Sequence, residues 1–247
     1  MNQTLIHDKP GNDRQTGTMS TAASTVSEVI SQRRTTKHFV DPATRQDKLV
    51  SLSDAECKTL DHILEVAGQA PFHKPADSET HCSGLLASPV PWRFHVLEPA
   101  TCIALVDWLE QQAATDTLPW TRAWTSKIPA LLSAAGAAII VTWLPNPSND
   151  DRPEFAHANI EHVAAAGAAV QNLLLMAEAE NWDSYWSSGG VLREPETFEK
   201  LGIATVERLL GAIMLTPRHR ITDKSVPGGL FDKRGPVSGW SRKVSLT

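Results

Sequence analysis

This chain is short of tyrosine, of cysteine and of positive charge: it has one Tyr against eight Trp, three Cys, and a formal net charge of -5. Cys57, Cys82 and Cys102 form no CxxC pair and are odd in number, which argues against a disulfide framework and for a reducing cytoplasm. Cys82 stands beside His81, with His73 upstream. A zinc site needs three or four ligands, and no second pair lies at finger-like spacing, so no metal is expected. The acidic balance supplies no basic field for nucleic acid or a membrane surface, so any anion must be caught by a local cluster.

Long apolar runs are also lacking; the best, Ile139 to Leu144, is far too short to span a bilayer, and no membrane partner is expected. Residues 1–20 are polar, carry Pro10 and Gly11, lack an apolar signal core, and read as a disordered extension. There is no Walker A loop, GxGxxG fingerprint or GxSxG elbow. His157 and His162 flank Glu161, but five residues at about 100° each set them about 140° apart on a helix. They cannot share a metal and read as surface or interface histidines.

What is present is apolar matter enough for a core: 41% apolar and 21% charged residues over 247 positions. Thr25-Val26-Ser27-Glu28 and Ser53-Asp54-Ala55-Glu56 are capping boxes, each followed by helical pattern; Leu60, Ile63, Leu64 and Ala67 recur at helical spacing. Helices are expected near 101–114, near 120–134, over about 154–180, and over 196–201 up to Gly202. Strands are expected at Trp92–Leu97, at Ala137–Trp143, at 185–187 running into Gly189-Gly190, and at Leu209–Thr216. Few strands among many helices suggest one α+β domain. It spans 21–220, with 221–247 as an arm that has no core of its own. The run Val163 to Val170 is small and apolar on every face, which suits a core helix or one packed against its twin in a homodimer. The loop 72–91, rich in His, Pro and Ser, is long for a compact domain and is read as functional.

Gln32-Arg33-Arg34-Thr35-Thr36-Lys37-His38-Phe39 closes the first helix with three cations and two hydroxyls in five residues. Guanidinium forks match phosphate oxygens, and hydroxyls add donors. A second cluster, Arg218-His219-Arg220, stands near the other end, with the Gly189-Gly190 turn between. Two such clusters around a core sheet suit a cofactor with one phosphate and a flat ring; both are otherwise solvated ends.

The order RRTTKHF, PWRFHVL, GAAVQNLLLMAEAENWDSYWSSGG and LLGAIMLTPRHR resembles the nitroreductase family of FMN-dependent oxidoreductases, over about Val26 to Arg220. The resemblance implies a central, mainly antiparallel sheet flanked by helices in an intertwined homodimer, with the C-terminal arm embracing the partner. It implies FMN at the subunit interface, its phosphate held by Arg33, Arg34 and Thr35 together with Arg218 and Arg220. By the same resemblance Lys37 lies near the pyrimidine edge, where positive charge stabilises the reduced ring. Ser187, Ser188, Gly189 and Gly190 bring backbone to the ring, which glycine permits for want of a Cβ. The family's Asn-x-Gln-Pro-Trp segment departs here: nineteen residues separate Ala70-Pro71 from Pro91-Trp92. Ser88 stands where the Asn would be, followed by Pro89, and Val90 stands for the Gln. The activity implied is hydride transfer from NAD(P)H through FMN to a small conjugated acceptor, a nitroaromatic or quinone, by ping-pong turnover. The flavin carries the chemistry and no catalytic side chain is named. A specialised flavoenzyme of the same fold, dehalogenase-like or dehydrogenating, or a flavin-binding scaffold without turnover, are the alternatives.

Overall fold

In a computed structural model, which describes residues 20–48, 50–81, 86–115, 118, 125–146 and 153–246, the chain enters its first helix at Ser20. The Ser20 hydroxyl accepts from the Ala23 amide at 3.2 Å and caps α1 (Thr21–Gln32). This start precedes the Thr25–Glu28 box. Thr25 sits within the helix and donates its hydroxyl to the Thr21 carbonyl at 3.0 Å. The earlier serine already satisfies a free amide of the first turn, so the later box has no cap to make. Residues 1–19, read as a disordered extension, lie outside the described residues.

After β1 (Thr36–Phe39) and a 3-10 turn at Pro42–Lys48, the second capping box forms as the sequence indicates. Ser53 Oγ accepts from the Glu56 amide at 3.3 Å, and Glu56 Oε2 accepts from the Ser53 amide at 2.8 Å, opening α2 (Asp54–Ala67). There follow α3 (Ser78–His81), β2 (Trp92–Leu97), α4 (Pro99–Thr115), α5 (Lys127–Ala134), β3 (Ala137–Trp143) and α6 (Pro153–Ala179). The chain continues through β4 (Trp182–Ser187), α7 (Pro195–Leu201), β5 (Arg208–Pro217) and β6 (Lys224–Pro227). Of the helix expected near 120–134, residues 120–124 lie outside the described residues, and α5 begins at Lys127.

Four strands make an antiparallel sheet in the order β2-β3-β5-β4. β3 lies inside it and is buried from Ala137 to Thr142. Side chains alternate across a strand, so β3 serves two cores. Ile139 and Val141 meet α2 and α6 through Leu60, Ile63, Val170 and Leu173. Ala138 and Ile140 meet α4 and α5 through Val106, Leu109, Leu131 and Leu132. The result is an α+β sheet with helices on both faces. β1 and β6 form a separate two-stranded antiparallel pair, Thr36 opposite Pro227 through Phe39 opposite Lys224. Neither strand is legible beforehand, because both are four residues long and polar.

Two readings need correction. By length and composition, His157–Ala179 of α6 is apolar enough to cross a bilayer, contrary to the reading that no such stretch exists. In the fold its inner face is enclosed: Ala166, Ala169, Val170, Leu173 and Ala177 are fully buried against α2 and the sheet. His162 is likewise no surface residue. It is 1% exposed and its Nδ1 lies 2.6 Å from the Leu144 carbonyl, so Nδ1 carries the proton and donates.

The long loop before β2 is pinned from below. Arg93 is 5% exposed, and its guanidinium donates to the carbonyls of Val90, Trp92, His81, Leu86 and Ser88 at 2.8 to 3.0 Å. Five carbonyl dipoles replace the water that a buried guanidinium loses.

β4 and β5 approach closely because Gly211 has no side chain. A Cβ there would lie 2.2 Å from Trp186 Nε1 and 2.7 Å from the Ser187 carbonyl oxygen. Gly211→Ala is expected to destabilise the protein by about 1–3 kcal/mol and to displace the Trp186 indole. Urea denaturation and the tryptophan emission of the folded variant check both effects.

Candidate functional site

α1 ends at Gln32, with the Arg33 amide capping it by donating to the Val29 carbonyl at 3.0 Å. The chain then straightens into β1, and alternation sorts its side chains. Arg33, Thr35 and Lys37 face one cavity of about 350 Å³. Arg34 and His38 do not line it. Tyr185 and Trp186 of β4 form an aromatic wall, and Gly228, Gly229, Leu230, Phe231 and Arg234 close the remaining side.

The lining of this cavity carries charge of one sign. Arg33, Lys37 and Arg234 line it, and among the described residues no acidic residue does so and none of the three is ion-paired. Burial lowers the Arg33 pKa and the nearby charge of Arg234 lowers it further, against a smaller opposing pull from the Glu178 carboxylate. Lys37 Nζ stands 5.1 Å from the centroid of the Tyr185 ring, a cation–π contact that leaves its charge unneutralised. Such a cluster is complementary to a phosphate-sized anion beside a flat apolar group.

The other expected site residues are distributed differently. Arg34 lays its guanidinium on the Phe231 ring, 3.4 Å from the centroid, and donates to the Ser31 carbonyl. Arg218 and Arg220 lie outside the cavity, and carboxylates claim both. Arg218 donates through Nε to Asp183 at 2.9 Å and through Nη2 to Glu178 at 2.8 Å. Arg220 donates to Glu56 and to the carbonyls of Val50 and Ser51. Ser88 and Pro89 are bound into the pinned loop. The Ser88 carbonyl accepts from Arg93 at 2.9 Å and the Pro89 carbonyl from the Ala76 amide at 2.8 Å. Ser187 is buried and its Oγ accepts from the Gly189 amide at 3.2 Å. Ser188, exposed, and Gly189-Gly190 follow directly from the Trp186 wall, at positive φ of 105° and 55° for the two glycines. His81 Nε2 lies 2.7 Å from the Pro145 carbonyl oxygen, and Cys82 lies outside the described residues.

Arg234 is the cation that the sequence reading missed. Its signal is the run Pro227-Gly228-Gly229 followed by Asp232-Lys233-Arg234, a glycine turn leading into a basic pair within the tail. A larger cavity, of about 460 Å³, lies beside Arg220 and His219. It offers an anion less, because Arg220 is already satisfied by Glu56 and backbone carbonyls.

Behind the cavity runs a chain of polar contacts. His38 Nδ1 lies 3.0 Å from Thr222 Oγ1 and its Nε2 lies 2.9 Å from Asp183 Oδ2. The His38 hydrogen bond, and after it the Arg218 guanidinium, hold the Asp183 carboxyl below the usual range despite partial burial. A depressed carboxylate stabilises the fold above its unfolded pKa of about 3.9, and this contribution is lost as pH falls through the folded value. Asp183→Asn should therefore be less stable than the natural chain at pH 7, with the difference shrinking below about pH 3.9. Urea midpoints measured from pH 7 downward test this; a difference that persists unchanged in acid would contradict it.

Comparison with known proteins speaks to the family and the fold. The family model described as "Nitroreductase family" matches residues 30–215. A nitroreductase-like family protein from Bacillus cereus superposes with a TM-score of 0.57 at 21% identity, over 94% of this chain and 99% of that one. A nitroreductase-type protein from Desulfovibrio desulfuricans, solved in complex with FMN, superposes with a TM-score of 0.52 at 21% identity, over 90% and 98% of the two chains. No curated protein matches the chain. At these identities the structural likeness speaks for the fold, while the family model covers β1 through most of β5, and by it the chain belongs to the nitroreductase family.

Proposed function

We propose that this chain is an FMN-dependent oxidoreductase working in the cytoplasm, and that the cavity between β1, β4 and the tail is its cofactor site. The observation that carries the reading is the convergence of Arg33, Lys37 and Arg234 without an acidic partner in the lining, beside the Tyr185–Trp186 wall. The residues fit the group. Arg33, Thr35 and Arg234 would hold the phosphate, since guanidinium forks and a hydroxyl supply donors and two positive charges. Lys37, steadied over Tyr185, would place its charge beside the ring system, where it favours an electron-rich ring. In the Ser187–Gly190 turn the Gly189 amide is taken by Ser187 Oγ, and the amides of Ser188 and Gly190 would be the ones offered at the ring edge, as the positive φ of the two glycines allows.

When bound, FMN would supply hydride chemistry, taking a hydride from NAD(P)H and reducing a small conjugated acceptor, nitroaromatic or quinone, in ping-pong turnover. The chain's part is to bind, orient and charge-balance. Arg33→Ala and Arg234→Ala should each weaken FMN binding by about tenfold or more, as expected for loss of a charge-assisted contact. Titration followed by flavin fluorescence measures this. FMN affinity unchanged in both variants would overturn the site. A yellow protein that neither nicotinamide reduces would overturn the reductase reading and favour a specialised flavoenzyme or a binding protein.

A homodimer belongs to the same proposal. α6 presents Ile160 at 65% exposure and leaves open space before Gly167, while α1 exposes Val26 and Ile30. Small residues on an uncovered helix face let a second backbone come close. Ile160→Glu should shift the protein toward monomer in sedimentation velocity; a variant as dimeric as the natural chain would contradict this face.

A further inference from the structure

The cavity's outer wall is made by the tail, and the tail is fastened in an unusual way. β6 pairs with β1, and the Gly228 amide donates to the Thr35 carbonyl at 2.7 Å. Gly228 fits only as glycine, because a Cβ would lie 2.9 Å from Thr35 Cβ. Beyond it the Phe231 ring carries two guanidiniums, Arg34 at 3.4 Å and Arg234 at 4.6 Å from its centroid. A ring can attract two cations while leaving both charged. Arg234, so placed, adds positive charge to a cavity that already holds Arg33 and Lys37. Like charges gathered in a partly desolvated site repel one another until an anion neutralises them.

We infer that residues 224–234 form an anion-latched strap: Phe231, with Arg34 on its ring, is a positioning residue that holds Arg234 over the cavity, and the strap closes firmly only when a phosphate sits between Arg33 and Arg234. Arg34 thereby acts on the strap and not on the phosphate. The inference rests on the reading of this cavity as the FMN site. It goes beyond that reading by making tail closure respond to the phosphate group and by assigning the fastening to Phe231.

The test is hydrogen exchange, read by mass spectrometry on peptides covering 224–234 of the full chain, with flavin binding followed in parallel by fluorescence. FMN should slow exchange in this segment about tenfold, inorganic phosphate at high millimolar concentration should slow it less, and riboflavin should leave it unchanged. Phe231→Leu should lose most of this protection and bind FMN about fivefold more weakly, while Phe231→Tyr should restore both. FMN that binds without slowing exchange over 224–234 would overturn the strap, as would equal protection by riboflavin. So would a Phe231→Leu variant with natural affinity and protection. If FMN fails to bind at all, the cofactor reading falls. The phosphate arm then decides the latch: protection by phosphate supports it, and unchanged exchange overturns it.

Discussion

The backbone of Thr35 makes two strand connections at once: it bridges Ser184 of β4 and accepts the Gly228 amide of the tail. Everything at the candidate site hangs on that junction. The bridge to β4 brings the Arg33–Lys37 segment against Tyr185 and Trp186, which belong to a sheet held by two cores. The bond to Gly228 draws the tail across the front. Without the first contact the cations would be an exposed patch; without the second, the cavity would lack its outer wall and Arg234. Backbone hydrogen bonds suit this role because they set position through the ladder and leave the side chains free to face a ligand.

Charge is then sorted by what each guanidinium can reach. Arg218 reaches Glu178 and Asp183, Arg220 reaches Glu56 and two carbonyls, and Arg93 reaches five carbonyls. These are satisfied groups that brace the fold. Lys37 and Arg234 meet aromatic rings, and Arg33 feels Arg234 more strongly than the carboxylate of Glu178; among the described residues none of the three is ion-paired. A protein with a formal net charge of -5 holds a local excess of positive charge here because no carboxylate lines the cavity among the described residues. That contrast, more than the count of basic residues, separates a binding cation from a structural one.

Parts of this were open to reading from the chain. The Ser53–Glu56 box is a local hydrogen-bond pattern and forms where the residues stand. The apolar run of β3 is a central strand, the Gly189-Gly190 turn follows β4, and Gly202 ends α7 in the left-handed region at φ 67°. Arg33, Thr35 and Lys37 meet one cavity, as alternation along an extended segment allows. Other parts were hidden for a physical reason. β1 and β6 are too short and polar to announce themselves and exist as strands only because each completes the other's ladder. His162 reads as a surface or interface residue from the sequence because its partner, the Leu144 carbonyl, stands just after β3, eighteen residues earlier.

The amino-acid sequence by itself determined most of the helices, the Ser53–Glu56 cap, the buried strands and the presence of a basic cluster at the end of α1, since these follow from contacts among near neighbours and from periodicity. It also carried the resemblance by which family membership was anticipated. Only the tertiary structure decided which cations remain available. Arg218 and Arg220 were drawn away by carboxylates on α6, β4 and α2, Arg34 turned onto Phe231, and Arg234 was brought in from a tail with no core of its own. The reason is that an arginine's role depends on the nearest acceptor in space, and strand pairing between positions far apart in the chain sets that distance.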